Sequence, residues 1–199
     1  MKKILHLISS PRGAASISTK LGKTVVAKLL ERYPDSMVSE VDLTAAQVPH
    51  LQAEHLSAFF TPEADRTEDN WQAINYSDQA IDQLKSADFI VIDAPMYNFT
   101  IHSSLKAWID QVTRAGQTFR YSENGSEGLV VGKKVYLAVA SGGVYSSGPY
   151  QPYDFVVPYL KTILGFMGMT DLTVYRAEGI NVPGLMEQAL AKAIAEIEI

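Results

Sequence analysis

The chain has 199 residues, 47% hydrophobic and 20% charged, with mean hydropathy near zero, which excludes collagen-like, coiled-coil and disordered classes. Seventeen basic against 22 acidic side chains leave a net charge of −5, a balance that argues against broad binding to a nucleic-acid backbone while leaving a small anionic ligand open. The absence of cysteine removes disulfides, thiolate metal sites and a cysteine nucleophile together, and a chain of this length buries about 70% of its unfolded surface, so one domain over residues 1–199 is expected.

Lys2 and Lys3 precede an apolar run from Ile4 to Ile8 that is broken by His6 and ended by Ser9-Ser10-Pro11. It is too short for a signal peptide or a membrane span; it reads as a strand, and a cytoplasmic protein without membrane contact is the expectation. Similar β-branched runs follow at Val38 to Leu43, Phe89 to Ala94, Val135 to Ala140 and Leu172 to Tyr175, predicting five strands. Helical spacing lies between and after them, in Leu21, Val25, Leu29, then Leu105, Trp108, Ile109, Val112, then Leu185, Ala189, Leu190, Ala193, Ile194, Ile197.

The gaps are expected to hold about one helix each, with Thr61-Pro62 opening one and Ser103 capping another. Acidity is concentrated in residues 51–100, and Glu63, Asp65, Glu68 and Asp69 read as a solvated helix face. Asn124-Gly125 predicts a hairpin turn. Strands this uniformly apolar, alternating with helices, predict an α/β fold: a doubly wound, five-stranded parallel sheet with helices on both faces.

In such sheets ligands lie beyond the carboxyl ends of the strands, which singles out three loops. After the first strand, Ser9-Ser10-Pro11-Arg12-Gly13-Ala14-Ala15-Ser16-Ile17-Ser18 brings hydroxyls and a guanidinium to a helix start, where unsatisfied N–H groups favour an anion. Neither G-x-G-x-x-G nor G-x-x-x-x-G-K-[ST] occurs there, so neither a dinucleotide fingerprint nor a P-loop is supported; serines that merely cap the helix are the alternative. After the third strand, Ala94-Pro95-Met96-Tyr97-Asn98-Phe99 offers backbone groups beside aromatic rings, suited either to a flat heteroaromatic ring or to packing on its own core. After the fourth, Ser141-Gly142-Gly143 permits close backbone approach. A phosphate at the first loop and a planar ring between the other two describe flavin mononucleotide, FMN.

The Ser10, Ser16, Ser18 spacing, Ala94 to Phe99, Arg114-Ala115-Gly116, Thr118-Phe119-Arg120-Tyr121 with Glu123-Asn124-Gly125, and Leu164-Gly165-Phe166 together resemble the bacterial FMN-dependent NADH azoreductases of the flavodoxin-like quinone reductase superfamily. The resemblance spans almost the whole chain. It implies a flavodoxin-like fold and a homodimer with one FMN per subunit near the interface. It assigns cofactor contacts to Ser10, Ser16, Ile17 and Ser18, to Met96, Tyr97, Asn98 and Phe99, and to Ser141, Gly142 and Gly143. The chain departs from the family pattern at the last of these, where the usual arginine after the serine is missing and the loop lengthens through Tyr145, Tyr150, Tyr153 and Phe155.

The implied activity is a ping-pong transfer of two electrons from NADH or NADPH through FMN to quinones and aromatic azo compounds. Asn98 and Tyr121 are the side chains expected to help directly, by hydrogen bonding to ring or substrate and by donation to a developing anion; Phe166 and Tyr121 are expected in the substrate pocket. His6 reads as a core residue and His102 as a solvated residue before a helix. No metal site is expected from His6, His50, His55 and His102, and no G-x-S-x-G hydrolase elbow occurs. Two other classes remain open at this stage, a flavodoxin-type electron carrier and an FMN-free α/β binding module.

Overall fold

A computed structural model of the chain describes residues 1–123 and 125–199. Five strands, β1 (Lys3–Ile8), β2 (Met37–Asp42), β3 (Phe89–Pro95), β6 (Lys134–Ser141) and β7 (Asp171–Glu178), form one sheet in the order β2-β1-β3-β6-β7, and every pair is parallel. The order reverses direction between β1 and β3, so the loops leaving these two strands open on one crevice. Helices α1 (Ile17–Arg32), α2 (Ala53–Phe60), α3 (Glu68–Ser86), α4 (Ser103–Val112), α5 (Val157–Phe166) and α6 (Met186–Ala195) complete the chain, with a separate hairpin of β4 (Phe119–Ser122) and β5 (Gly125–Gly128).

Alternation along the strands divides the core in two. Leu5, Leu7, Ile90, Ile92, Leu137 and Val139 meet Leu84, Trp108 and Leu160 of α3, α4 and α5 in an aliphatic layer around one indole. Ile4, Val91, Tyr136, Ala138 and Tyr175 meet Leu21, Val25, Leu29 and Ala193 of α1 and α6 on the other side. The doubly wound sheet covered on both faces is therefore observed. Uniform burial holds only for the central strands, because β2 is an edge strand whose Met37 and Val38 are exposed.

Three local expectations are corrected. The gap between β2 and β3 holds two helices, since Thr61 closes α2 by donating its N–H and its hydroxyl to the Ser57 carbonyl and Pro62 leads only a short turn; α3 starts later, where Thr67 and Asn70 form a reciprocal cap. Glu63 and Asp65 lie in that short turn and Glu68 and Asp69 in the first turn of α3, all exposed, where the last two favour the helix dipole. The cap of α4 is His102, whose Nδ1 accepts from the Ser104 N–H at 3.2 Å, while Ser103 is the first helical residue. The hairpin forms with Ser122 opposite Gly125; Asn124 of its predicted turn lies outside the described residues.

The α2 segment is fastened to the α4 side by buried Arg114. Its guanidinium donates to Asp78 at 2.6 Å and Ser77 at 2.9 Å and lies 4.6 Å over the Phe59 ring. Among the described residues no helix is long and apolar enough to cross a membrane.

Candidate active site

The serine loop keeps its hydroxyls inside. Ser10, Ser16 and Ser18 are buried and Ile17 is partly covered. Ser16 Oγ caps α1 by accepting from the Thr19 N–H at 3.2 Å and lies 3.0 Å from Ser18 Oγ, and Ser10 Oγ faces the Arg12 N–H at 3.4 Å. Capping and anion binding are thus not exclusive: one cap satisfies one orphan N–H of a 16-residue helix, and the other early N–H groups of the first turn remain donors.

The loop after β3 turns sharply. Met96 N–H still donates to Ala140 across the sheet at 2.8 Å; Tyr97 and Thr100 then exchange N–H to C=O bonds of 2.9 and 3.1 Å. The two residues between them, Asn98 (φ 49°) and Phe99 (φ 70°), are left-handed. Asn tolerates that conformation, whereas for Phe it costs on the order of 1 kcal/mol or more. Such strain persists only where surroundings hold it, and it concentrates at ligand sites.

These two loops share one cavity of about 680 Å³, bounded by Pro11 on the serine loop and by Tyr97, Asn98 and Thr100 on the turn, a volume that suits an organic cofactor or ligand. The opening of α4 completes the wall with His102 and Lys106, and Tyr159 of α5 closes it. His102 sits edge-on to Tyr97 at 5.6 Å, and its partial burial holds the imidazole below its usual value, toward the neutral form. Burial raises the Tyr159 phenol above the usual value, so it remains a proton donor at neutral pH. Lys106 is paired with Asp110 at 2.6 Å.

The third loop is arranged differently from its expectation. Ser141 Oγ donates to the Gly143 carbonyl at 2.9 Å, and the Asn181 N–H donates to Gly142. A Cβ on Gly142 would stand 2.7 Å from Asn181 Nδ2, and one on Gly143 would stand 3.2 Å from the Tyr145 ring. The close approach that these glycines permit is therefore made by this chain's own side chains. Tyr121 and Phe166 do not line this cavity within one chain: Tyr121 stands 74% exposed on β4, edge-on to Phe119 at 5.5 Å, and Phe166 packs on Phe119 at 4.5 Å.

Sequence reasoning missed the polar pair beneath the two loops. His6 Nε2 and Asp93 Oδ1 lie 2.9 Å apart, both fully buried, with Glu40 3.3 Å from His6 Nδ1. Burial raises the Asp93 carboxyl above the ordinary range, against the opposing pull of His6 and Thr19. Ser9 Oγ donates to the Asp93 carbonyl at 2.6 Å, so the end of β1 is tied to the end of β3 directly under the serine loop. Gly22 makes room for the pair, because a Cβ there would meet Asp93 Oδ1 at 1.8 Å. His102, read from the sequence as a solvated residue before a helix, lines the cavity instead; Lys106 and Tyr159 were missed, the first despite a signal, since the residues after a strand's carboxyl end open the next helix. Among the described residues no group of three or more His, Cys, Asp or Glu could hold a metal ion.

The sequence model of a family with a flavodoxin-like fold matches residues 2–199. A protein of Herminiimonas arsenicoxydans named FMN-dependent NADH:quinone oxidoreductase is 49% identical over 193 residues, 96% of this chain and 95% of its own; one of the same name from Agrobacterium fabrum is 45% identical over 199 residues, 100% and 97%. Among solved structures, an azoreductase from Bacillus anthracis superposes with a TM-score of 0.92 at 32% identity, over 98% of this chain and 96% of that one. A second, an FMN-dependent NADH-azoreductase from the same species in complex with FMN, gives 0.88 at 29%, over 98% and 95%. Strand order, crevice and near-complete alignment agree, and the chain belongs to the flavodoxin-like family that contains these reductases.

Proposed function

We propose that this chain is an FMN-dependent NADH oxidoreductase that passes two electrons to quinones and aromatic azo compounds. The observation that carries the reading is the cavity between the first two loops: Pro11, on the loop that carries the buried hydroxyls of Ser10, Ser16 and Ser18 to the start of α1, and the strained Tyr97–Thr100 turn bound the same space. A phosphate-bearing planar cofactor needs both features together. FMN fits these residues, and when bound it supplies hydride acceptance from the nicotinamide and two-electron delivery to the acceptor.

The chain's own work is to bind, orient and enclose. Ser10, Ser16, Ser18 and the first N–H groups of α1, with Ile17 among them, would hold the phosphate. The backbone of Met96, Tyr97, Asn98 and Phe99 would flank the ring, with Ser141, Gly142 and Gly143 on the neighbouring loop. Asn98 presents an amide to the cavity for a hydrogen bond to ring or substrate, and Tyr159, kept protonated by burial, is a second donor on the same wall. One acceptor site serving both substrates in turn makes the kinetics ping-pong.

The proposal extends to a single domain over residues 1–199 that works as a cytoplasmic homodimer. Tyr121 and Phe166 stand on the hairpin side, away from the cavity of their own chain, and a second copy laying its hairpin over the cavity would bring an exposed phenol and a ring to it. A cysteine-free chain needs no oxidising compartment to fold.

The test is an anaerobic stopped-flow experiment on FMN-reconstituted protein mixed with NADH and then with a quinone. Bleaching of the flavin band on the first mix and full two-electron recovery on the second is the expected result. No uptake of FMN would overturn the assignment, and uptake with no reduction by NADH would turn it into an electron carrier.

A further inference from the structure

The segment from Tyr145 to Phe155 does something that folding alone does not explain. Four rings close into a circle: Phe99 to Tyr145 at 6.2 Å, Tyr145 to Tyr150 at 6.4 Å, Tyr150 to Tyr153 at 6.5 Å and Tyr153 back to Phe99 at 5.7 Å. These spacings are those of mutually attractive aromatic pairs. Yet Phe99, Tyr150, Tyr153 and adjacent Phe155 are each about half exposed or more, a concentration of uncovered aromatic surface that marks a binding face.

The circle is held rigidly from below. Glu178, at the end of β7, accepts from the N–H groups of Tyr145 and Ser146 at 2.8 and 2.9 Å and from the Ser146 hydroxyl. Asp154 accepts from Val156 N–H at 3.0 Å and from Arg176 at 2.6 Å, and Phe155 N–H donates to the Phe99 carbonyl at 3.1 Å. Both ends of the segment are pinned, so the ordering entropy of the rings is spent in folding and not at binding. Phe99 belongs to the same turn as Asn98 and Thr100 of the cavity, which places the circle at the cavity's rim.

Its charge is equally informative. Residues 144–155 contain no lysine or arginine, and beneath them one guanidinium, Arg176, is shared between two carboxylates, Asp154 at 2.6 Å and Glu178 at 3.4 Å. The face offers π surface and a small surplus of negative charge, which suits uncharged or cationic rings and gives a sulfonate nothing to pair with.

We infer that Tyr145, Tyr150 and Tyr153, with Phe99, form an outer stacking wall that selects extended polycyclic acceptors, uncharged or cationic, over single-ring ones. The inference rests on the reductase reading and deepens it by naming the acceptor class. A one-ring quinone is served by the cavity itself, whereas a fused system reaches the rim and stacks there.

The test compares wild type, Tyr150→Ala/Tyr153→Ala and Tyr150→Phe/Tyr153→Phe. Equilibrium dialysis against oxidised, FMN-loaded protein uses proflavine as a tricyclic cation and anthraquinone-2-sulfonate as a tricyclic anion, with no NADH present. The alanine pair is expected to weaken proflavine binding about tenfold, the phenylalanine pair to retain it, and the sulfonate to bind wild type several-fold more weakly than proflavine. In turnover, the KM for 1,4-benzoquinone stays within about twofold in all three proteins. Unchanged proflavine binding in the alanine pair, failure of the phenylalanine pair to restore it, or an equal rise in the benzoquinone KM would overturn the wall; equal binding of the sulfonate would overturn the charge preference. Dialysis needs no reduction step, so a wild-type protein that holds proflavine but is not reduced by NADH would sink the reductase reading and leave the wall standing.

Discussion

The two faces of the sheet bury similar strands for different ends. On the α3, α4, α5 face the layer against the sheet is aliphatic around Trp108, with its buried polar groups, Ser77, Gln111 and Arg114, set where α3 meets the end of α4, so the contribution of the sheet-facing layer scales with area removed from water. On the α1, α6 face the same strands place His6 and Asp93, fully buried, among Ile4, Val91 and Leu21, and a buried ionisable pair is seldom a source of stability. What that second face gains is position, because Asp93 is held on one side by His6 and anchors Ser9 on the other. A sheet can thus keep its stability on one side and its site alignment on the other.

Three substitutions press on that contrast. Trp108→Ala, on the aliphatic face, should cost the most, about 3 to 5 kcal/mol in urea unfolding of the FMN-free protein, while the molecules that remain folded bind FMN with wild-type affinity; weakened FMN binding in that variant would erase the distinction between the faces. Gly22→Ala should cost about 1 to 3 kcal/mol through the clash with Asp93, despite a helix preference for alanine of about 1 kcal/mol, and should weaken FMN binding as well. In the Gly22→Ala/Asp93→Ala double variant the two penalties should fall short of additive, because the clash is gone.

The smallest effect is a pH dependence. Burial raises the Asp93 carboxyl above its ordinary 3.8, so the fold favours the protonated form. That contribution is complete below the unfolded value and is lost as pH rises through the raised one. Asp93→Asn imitates the protonated group, and its Tm relative to wild type should therefore climb from pH 4 to pH 8. A relative Tm that falls over the same range would mean that a charged His6 partner stabilises ionised Asp93.

The strands and the three loops were legible because their signals are local. β-branched runs mark β1, β3 and β6, and hydroxyls at a helix start mark Ser16 and Ser18. Long-range placement was not. His6 and Asp93 are 87 residues apart, and only the register of β1 on β3 puts them on one face. Tyr159 reaches the cavity from α5, whose own periodicity says nothing of α4. Thr61-Pro62 misled because a threonine before a proline serves a helix end as well as a helix start, and α2 was hidden before it. The left-handed turn at Asn98 and Phe99 was signalled by the asparagine alone, since phenylalanine is among the last residues expected there.

Glu178 ends β7, an edge strand of the sheet, and one end of the tyrosine segment hangs from it, whereas the serine loop and the Tyr97–Thr100 turn grow from the inner strands β1 and β3. At its other end the segment is tied to the turn after β3, where Phe155 N–H donates to the Phe99 carbonyl and Tyr153 packs on the Phe99 ring, so sequence change in it reaches the cofactor end of the crevice through Phe99 alone of that turn. A designer seeking a new acceptor range therefore has a graft point bounded by Val144 and Val156, on condition that the replacement keeps a backbone donor for the Phe99 carbonyl.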